Sequence, residues 1–219
     1  MKQMLVTGGS RGIGEAVANH FQSTYDVITV SRSGPSTELG DLQDKEFLDY
    51  LIDKYRPDVF VNNAAIYSPD FHDTNLINFV AAGYLCERFY HQMQTGHIIN
   101  IGSTSSRLIG WEGIGPEQAN YIPGKTGLDR LAMVLNNSLR TQVKITSLEP
   151  GWVNTGFAGL ALEIDQSEYE NIANKRRPMP VDYIPNVIEW ILQQPKYVVI
   201  RHLDVMDFYH ASNGLQSAN

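Results

Sequence analysis

The chain has 219 residues, 42% of them hydrophobic and 19% charged, which suits one globular domain with a sizeable core and leaves two cramped. A net charge of −7 with no long basic run argues against nucleic acid or an acidic membrane as a partner, since Lys175-Arg176-Arg177 is too short to reverse the balance. The lone Cys86 allows no internal disulfide, no signal-like apolar core opens the chain, and no apolar stretch approaches ~18 residues; a cytoplasmic protein without a membrane span is the expectation.

Short β-rich runs alternate with helical patterns. The first run, 4–7, reads as a buried strand, and after it Ile13, Val17, Ala18 and Phe21 recur at helical spacing over 13–22. Further strands are expected at 27–30, 59–62, 97–101, 143–148 and 197–200. Helices are expected at 43–55, 74–93, 124–140 and 181–193. In 43–55 the residues Phe47, Leu48, Leu51, Ile52 and Tyr55 line one face. Such βα alternation predicts an α/β fold: a doubly wound parallel sheet with helices on both faces and a ligand crevice at the carboxyl ends of the strands. The stretches 103–120 and 151–180 break the rhythm and read as long loops above that crevice.

Between the first strand and the first helix lies Thr7-Gly8-Gly9-Ser10-Arg11-Gly12-Ile13-Gly14. Glycines there permit a tight turn and a close approach of the main chain to phosphate oxygens, while the free N–H groups of the new helix face the negative charge. The pattern therefore points to a dinucleotide pyrophosphate. At the start of the 124–140 helix stand Tyr121 and Lys125, four residues apart on one helix face. An ammonium beside a phenol favours the phenolate, which is the help a group with a pKa near ~10 needs to act as acid or base at neutral pH. Other strand ends carry Asn62-Asn63-Ala64-Ala65, Ser103, and Pro150-Gly151-Trp152-Val153-Asn154-Thr155, and a doubly wound sheet gathers such ends around one crevice.

In order along the chain, TGxxxGxG at 7–14, an acidic Asp41-Leu42, NNAA at 62–65, a serine ending the fifth strand, YxxxK at 121–125 and the Pro-Gly turn make the sequence resemble the short-chain dehydrogenase/reductase family. The resemblance implies a single Rossmann-like domain over 1–219 and nicotinamide-dependent carbonyl–alcohol chemistry on a small molecule. It implies Tyr121 as general acid or base, Lys125 lowering the phenol's pKa and holding the nicotinamide ribose, and Ser103 bonding the substrate oxygen. Asn78 would support a relay water near the lysine. It implies cofactor contacts from Gly8, Ser10, Arg11, Gly12, Ile13 and Gly14, from Ser31 and Arg32, and from Asp41 and Leu42. Asn63 and Ala64 along the adenosine ribose, with Ala65, Pro150, Gly151, Val153 and Thr155, complete that set. It also implies a homodimer or homotetramer through the helices at 74–93 and 124–140. The second strand ends in Ser31-Arg32 rather than an acidic residue, and Arg11 lies in the glycine turn; two guanidiniums suit a 2′-phosphate, so NADP(H) is expected over NAD(H).

The chain also departs from the family pattern. The segment from Ser31 to Asp58 has room for one helix, so the third strand is expected as a stub near 38–40 with the helix before it missing. Ser103 precedes Tyr121 by 18 residues, which enlarges the loop near the substrate; Ser105 is a rival for its role. Pro123 belongs only in the first turn of a helix, so the helix starts near Asn120 or kinks. The segment 156–178 is expected to act as a substrate lid, with Glu163, Asp165, Glu168 and Glu170 on its outer face. Trp111, Trp152, Phe157, Leu160 and Leu162 are expected either to line an apolar pocket or to pack the lid. Six scattered histidines lack ligand spacing, and no catalytic metal is expected. Two other readings exist: an NTPase phosphate loop at AxxxxGKT, 119–126, which lacks the strand it needs, and a non-catalytic NADP(H)-binding or sensing protein.

Overall fold

The computed structural model describes residues 1–107, 116–137, 142–157 and 165–207. Its strands are β1 (Lys2–Thr7), β2 (Tyr25–Ser31), β3 (Glu38–Leu39), β4 (Val59–Asn62), β5 (Thr95–Ile101), β6 (Gln142–Pro150) and β7 (His202–Val205). All pairings are parallel and the order is β3-β2-β1-β4-β5-β6-β7, so the strand order reverses between β1 and β4. That reversal opens a crevice at the carboxyl ends of these two strands, where an open α/β sheet binds its ligand.

The helices are α1 (Gly12–Phe21), α2 (Lys45–Lys54), α3 (Phe71–Asn75), α4 (Ala82–Gln92), α5 (Ile122–Asn136), α6 (Gln166–Arg176) and α7 (Tyr183–Leu192). Strand residues alternate between two cores, as the pleat requires. Leu5, Phe60, Ile98 and Ile145 face α2, α4 and α5 with Leu51, Leu85, Cys86, Phe89 and Leu128. Met4, Val6, Val61, Ile99 and Leu148 face α1 and α7 with Val17, Phe21, Ile184 and Ile188. Each large apolar side chain fully buried this way contributes about 1.5–3 kcal/mol. Among the described residues, no helix is long and apolar enough to cross a membrane.

The stub expected at 38–40 is β3, with α2 the one helix between β2 and β4. Glu38 ties the stub to α2 by accepting from Lys54 Nζ at 2.7 Å and from the Tyr55 hydroxyl. Three expectations are corrected. The last strand is not 197–200 but His202–Val205: Tyr197 is 91% exposed in a turn closed by Val198 N to Pro195 O, and the pairing register runs Ser147 to His202. The helix expected at 74–93 begins at Phe71, capped by Asp70, and contains a π-helical stretch, Leu76–Ala81. The loop expected over 151–180 contains α6, whose N-cap Asp165 accepts from Glu168 N at 2.8 Å; its largely exposed polar surface hid it from a periodicity reading.

His97 on β5 is buried and lies 2.8 Å from Thr146 Oγ1 on β6. Burial lowers its pKa from 6.5 to about 4, with Lys144 adding repulsion. The unfolded chain therefore binds a proton that the fold rejects, and stability is lost as pH falls from 6.5 towards 4. The full loss is about 3 kcal/mol. Denaturant titrations at neutral pH and near pH 4 should show this extra acid sensitivity in the wild type and its disappearance in His97→Asn; equal pH slopes in the two proteins would contradict it.

Candidate active site

The glycine turn is built by close approach. Gly8 and Gly12 have φ of +69° and +58°, in the left-handed region that favours glycine. A Cβ on Gly14 would lie 2.2 Å from the Gly8 carbonyl oxygen and 2.6 Å from Asn63 Nδ2, so only glycine lets α1 start this close to the turn. Asn63 Nδ2 donates to Thr7 O at 2.9 Å, and the amides of Asn63 and Ala64 donate to Thr7 Oγ1 at 3.0 and 3.1 Å. These bonds lock the end of β4, with Ala65 following, to the glycine turn. The N-cap of α1, Arg11, makes no side-chain capping bond, leaving the first-turn amides around Ile13 available to an anion. A Cβ on Gly12 would reach Thr155 at 3.4 Å, so the segment after β6 closes the far side of the cradle. This cradle, with its uncapped helix end, fits a dinucleotide pyrophosphate.

On the adenine side the loop after β2 touches the turn: a Cβ on Gly34 would lie 3.1 Å from Ser10 Cβ. Arg11 and Arg32 are both exposed. Ser31 is buried and its hydroxyl is engaged by Ser36 Oγ at 2.7 Å and Ser33 O at 2.9 Å, so it shapes the loop. Asp41 accepts from Gln43 N at 2.9 Å, starting the turn into α2, and Leu42 packs on the α2 side of the core.

Ser103, Tyr121 and Lys125 converge at the end of β5. Ser103 caps the short turn Thr104–Ser106 and also hydrogen-bonds the Tyr121 phenol, whereas the rival Ser105 donates its amide to Ser103 Oγ at 3.2 Å. α5 begins at Ile122, so Pro123 sits in its first turn without a kink. Lys125 is 3% exposed, donates from Nζ to Ile101 O at 2.8 Å and stands 5.8 Å over the Tyr121 ring. Burial lowers its pKa to about 8, against an opposing pull from Glu149. The phenol does not follow the expectation that the lysine lowers it. Burial pushes Tyr121 up, Glu149 and Tyr67 add to this, and the Ser103 hydrogen bond opposes it. With Nζ committed to a backbone carbonyl, desolvation wins and Tyr121 is a neutral acid at neutral pH. The rings of Tyr67 and Phe157 flank it, with centroids 5.7 and 6.1 Å away.

Asn78, on the π-helical stretch, is fully buried. Its amide brackets one residue, accepting from Ile66 N at 2.9 Å and donating to Ile66 O at 2.8 Å. It also abuts α5, since a Cβ on Gly124 would lie 3.0 Å from Asn78 Cβ and from Asn75 Oδ1. Gly151 N bonds Val205 O at 2.7 Å and Val153 bridges to Met179, so the chain after Pro150 is held against β7 before it reaches Thr155. Trp152 packs edge-on against Tyr169, at 6.1 Å, below α6. Trp111, Leu160, Leu162 and Glu163 lie outside the described residues.

One group escaped the sequence reading. Glu149, at the end of β6, is fully buried, and Asp129 lies one turn beyond Lys125 on α5 at 4% exposure. His202 Nδ1 is 3.3 Å from Asp129 and 3.8 Å from Glu149, while its Nε2 is 2.6 Å from Asp204. The cation among them is Arg107, whose Nη2 is 2.7 Å from His202 Nδ1 and 3.4 Å from Asp129. The legible signal was a glutamate closing an apolar strand, Ser-Leu-Glu-Pro, directly before the Pro-Gly turn.

The family model for short chain dehydrogenases matches residues 40–163, more than half of the chain. The chain is 27% identical to serine 3-dehydrogenase of Rhizobium radiobacter over 97% of its own length and 96% of that protein. It is 30% identical to the 3-oxoacyl-(acyl-carrier-protein) reductase MabA of Mycobacterium avium, over 70% of this chain and 68% of the other. Among solved structures, the closed form of a serine dehydrogenase complexed with NADP+ superposes with a TM-score of 0.80 at 23% identity, covering 92% and 93% of the two chains, a likeness of fold. With the family model, the relatives, the seven-stranded parallel order and the Tyr-Lys-Ser convergence in agreement, the chain belongs to the short-chain dehydrogenase/reductase family and is an NAD(P)-dependent oxidoreductase acting on CH–OH groups.

Proposed function

We propose that the protein is an NADPH-dependent reductase of a small ketone or aldehyde, reversible towards the alcohol, built as one domain over 1–219 with 156–178 covering the substrate. The observation that carries this reading is the meeting of Ser103, Tyr121 and Lys125 beside the glycine turn, with the phenol held protonated. When bound, the reduced nicotinamide supplies the hydride that adds to the carbonyl carbon. As charge develops on the carbonyl oxygen, Ser103 donates a hydrogen bond to it and Tyr121 gives it the phenolic proton, which completes the alcohol. Lys125, titrating near 8, is suited to pass a proton back to the phenolate around neutral pH. Asn78 keeps the 66–67 backbone, and with it the Tyr67 ring, in place beside the phenol.

In this reading Gly8 to Gly14 with Ser10 and Arg11 hold the pyrophosphate, Asp41, Leu42 and Asn63 to Ala65 border the adenosine, and Pro150, Gly151, Val153 and Thr155 border the nicotinamide. The exposed Arg11 and Arg32, on two loops in contact through Ser10 and Gly34, support a 2′-phosphate ligand and hence NADP(H) over NAD(H). The two relatives named above are both named for chemistry at a 3-position, on serine or on a 3-oxoacyl chain, so substrates with a 3-carbonyl or 3-hydroxyl group belong first in any panel. Phe79, Val80 and Val134, exposed on the outer face of the α4–α5 layer, support a homodimer or homotetramer formed there.

Two substitutions test the reading. Tyr121→Phe should lower NADPH oxidation on such a panel by about 10²–10⁴-fold while leaving NADPH affinity intact. A wild-type protein that binds NADPH yet turns over nothing on the panel would favour the non-catalytic binding reading. Arg32→Asp should weaken NADPH relative to NADH by about tenfold or more, equivalent to about 1.4 kcal/mol, in a fluorescence titration. Unchanged NADPH affinity would remove the 2′-phosphate assignment.

A further inference from the structure

Glu149 stands behind the reaction centre and belongs to none of the family motifs found in the sequence. Its side chain packs on Gly102, where an added Cβ would lie 2.9 Å from Glu149 Cγ. Gly102 separates Ile101, whose carbonyl holds Lys125 Nζ, from Ser103, which bonds the Tyr121 phenol. Ser106 Oγ donates to Glu149 Oε2 at 2.6 Å, and Thr126 of α5 donates to Ser106 O at 3.3 Å. The turn that carries Ser103 is thus fastened at its far end by this carboxylate. Glu149 Oε1 is buried without a hydrogen-bond partner, an expensive state for a carboxylate: burial pushes its pKa up, while the Ser106 hydrogen bond opposes this and the Arg107 guanidinium lies 3.8 Å away.

We infer that Glu149 is a positioning residue for the reaction: it fixes the Ser103–Ser106 turn and, balanced by Arg107, sets the negative charge that Lys125 and Tyr121 experience. This rests on the catalytic reading given above. The groups that face Glu149 are Ser106 and Arg107 after β5, Lys125, Asp129 and Tyr121 of the α5 region, and His202 and Asp204 of β7. Arg107 Nε lies 3.8 Å from Glu149 Oε2, and its side chain is 39% exposed, so the balancing charge sits at the surface end of a buried cluster. Arg107 Nη2 also lies 2.7 Å from His202 Nδ1, and Asp204 lies 2.6 Å from His202 Nε2, so the cluster continues onto β7. Negative charge at Glu149 raises the pKa of both Lys125 and Tyr121.

The test is a pH titration of the Lys125 amine by NMR on the full chain carrying lysine labelled with carbon-13 at Cε, the resonance being identified by its loss in Lys125→Arg. The wild-type midpoint is expected at about 8. Glu149→Gln keeps the shape and the Ser106 contact and removes the charge; it should lower the midpoint by about one unit, a tenfold change in the amine-to-ammonium ratio. Arg107→Gln, at a partly exposed site that leaves the core closed, should raise it by less, because Glu149 is then uncompensated. A midpoint unmoved in Glu149→Gln overturns the inference; should that variant not fold, an unmoved or lowered midpoint in Arg107→Gln overturns it. The pH profile of NADPH oxidation should follow the midpoint in direction. A midpoint that moves without any Tyr121-dependent turnover leaves the charge coupling standing and defeats the catalytic reading, whereas Tyr121-dependent turnover with an unmoved midpoint defeats the inference alone.

Discussion

The hydrogen bond from Lys125 Nζ to the Ile101 carbonyl is the contact on which the site depends. It pins the first turn of α5 to the end of β5, where Tyr121 meets Ser103, and Thr126 fastens α5 to the following turn, which in turn meets Glu149 through Ser106. Holding a buried lysine with a pKa near 8 instead of 10.5 costs about 3 kcal/mol at neutral pH. A fold selected for stability alone gains nothing from that cost. A reaction does, because a group titrating near neutrality moves protons that an ordinary lysine holds too tightly.

The crevice beside this contact follows from the sheet. Reversal of strand order between β1 and β4 separates their outgoing helices and leaves the amides at the start of α1 facing open space. Gly14 on Gly8, and Asn63 on Thr7, hold that space at a fixed width. Asn78 and Gly124 bring the π-helical stretch against α5, so the two halves of the site share a rigid wall.

Much of this was legible in the chain because the informative residues lie where strand period, glycine and helix start coincide. The β-rich runs from 4–7 to 143–148 sit in strands, the glycine turn sits at a strand-to-helix junction, and the short third strand could be inferred from chain length between Ser31 and Asp58. What failed to show depends on tertiary context. Tyr197–Ile200 is as apolar as a strand, yet β6 pairs five residues later. α6 is polar on most of its surface and therefore lacks a stripe. The π-helical stretch has no periodic mark that distinguishes it from an α-helix. The direction of the Tyr121 shift was misjudged because sequence spacing places a lysine near a phenol but cannot say that Nζ is spent on Ile101 or that burial outweighs it. Asp129, Arg107 and His202 are far apart in sequence, and only the sheet register joins them to Glu149.

The central claim is that a neutral buried Tyr121 supplies the proton and a buried Lys125 titrating near 8 sustains it. Steady-state NADPH oxidation across pH, in which Tyr121 must be reprotonated in every cycle, tests this most directly. The rate in the wild type should fall as pH rises through about 8, when Lys125 loses its proton, and in Lys125→Arg, whose guanidinium stays charged, the slower residual rate should lose that limb. A wild-type rate that stays level from neutral pH to well above the lysine midpoint would contradict the account.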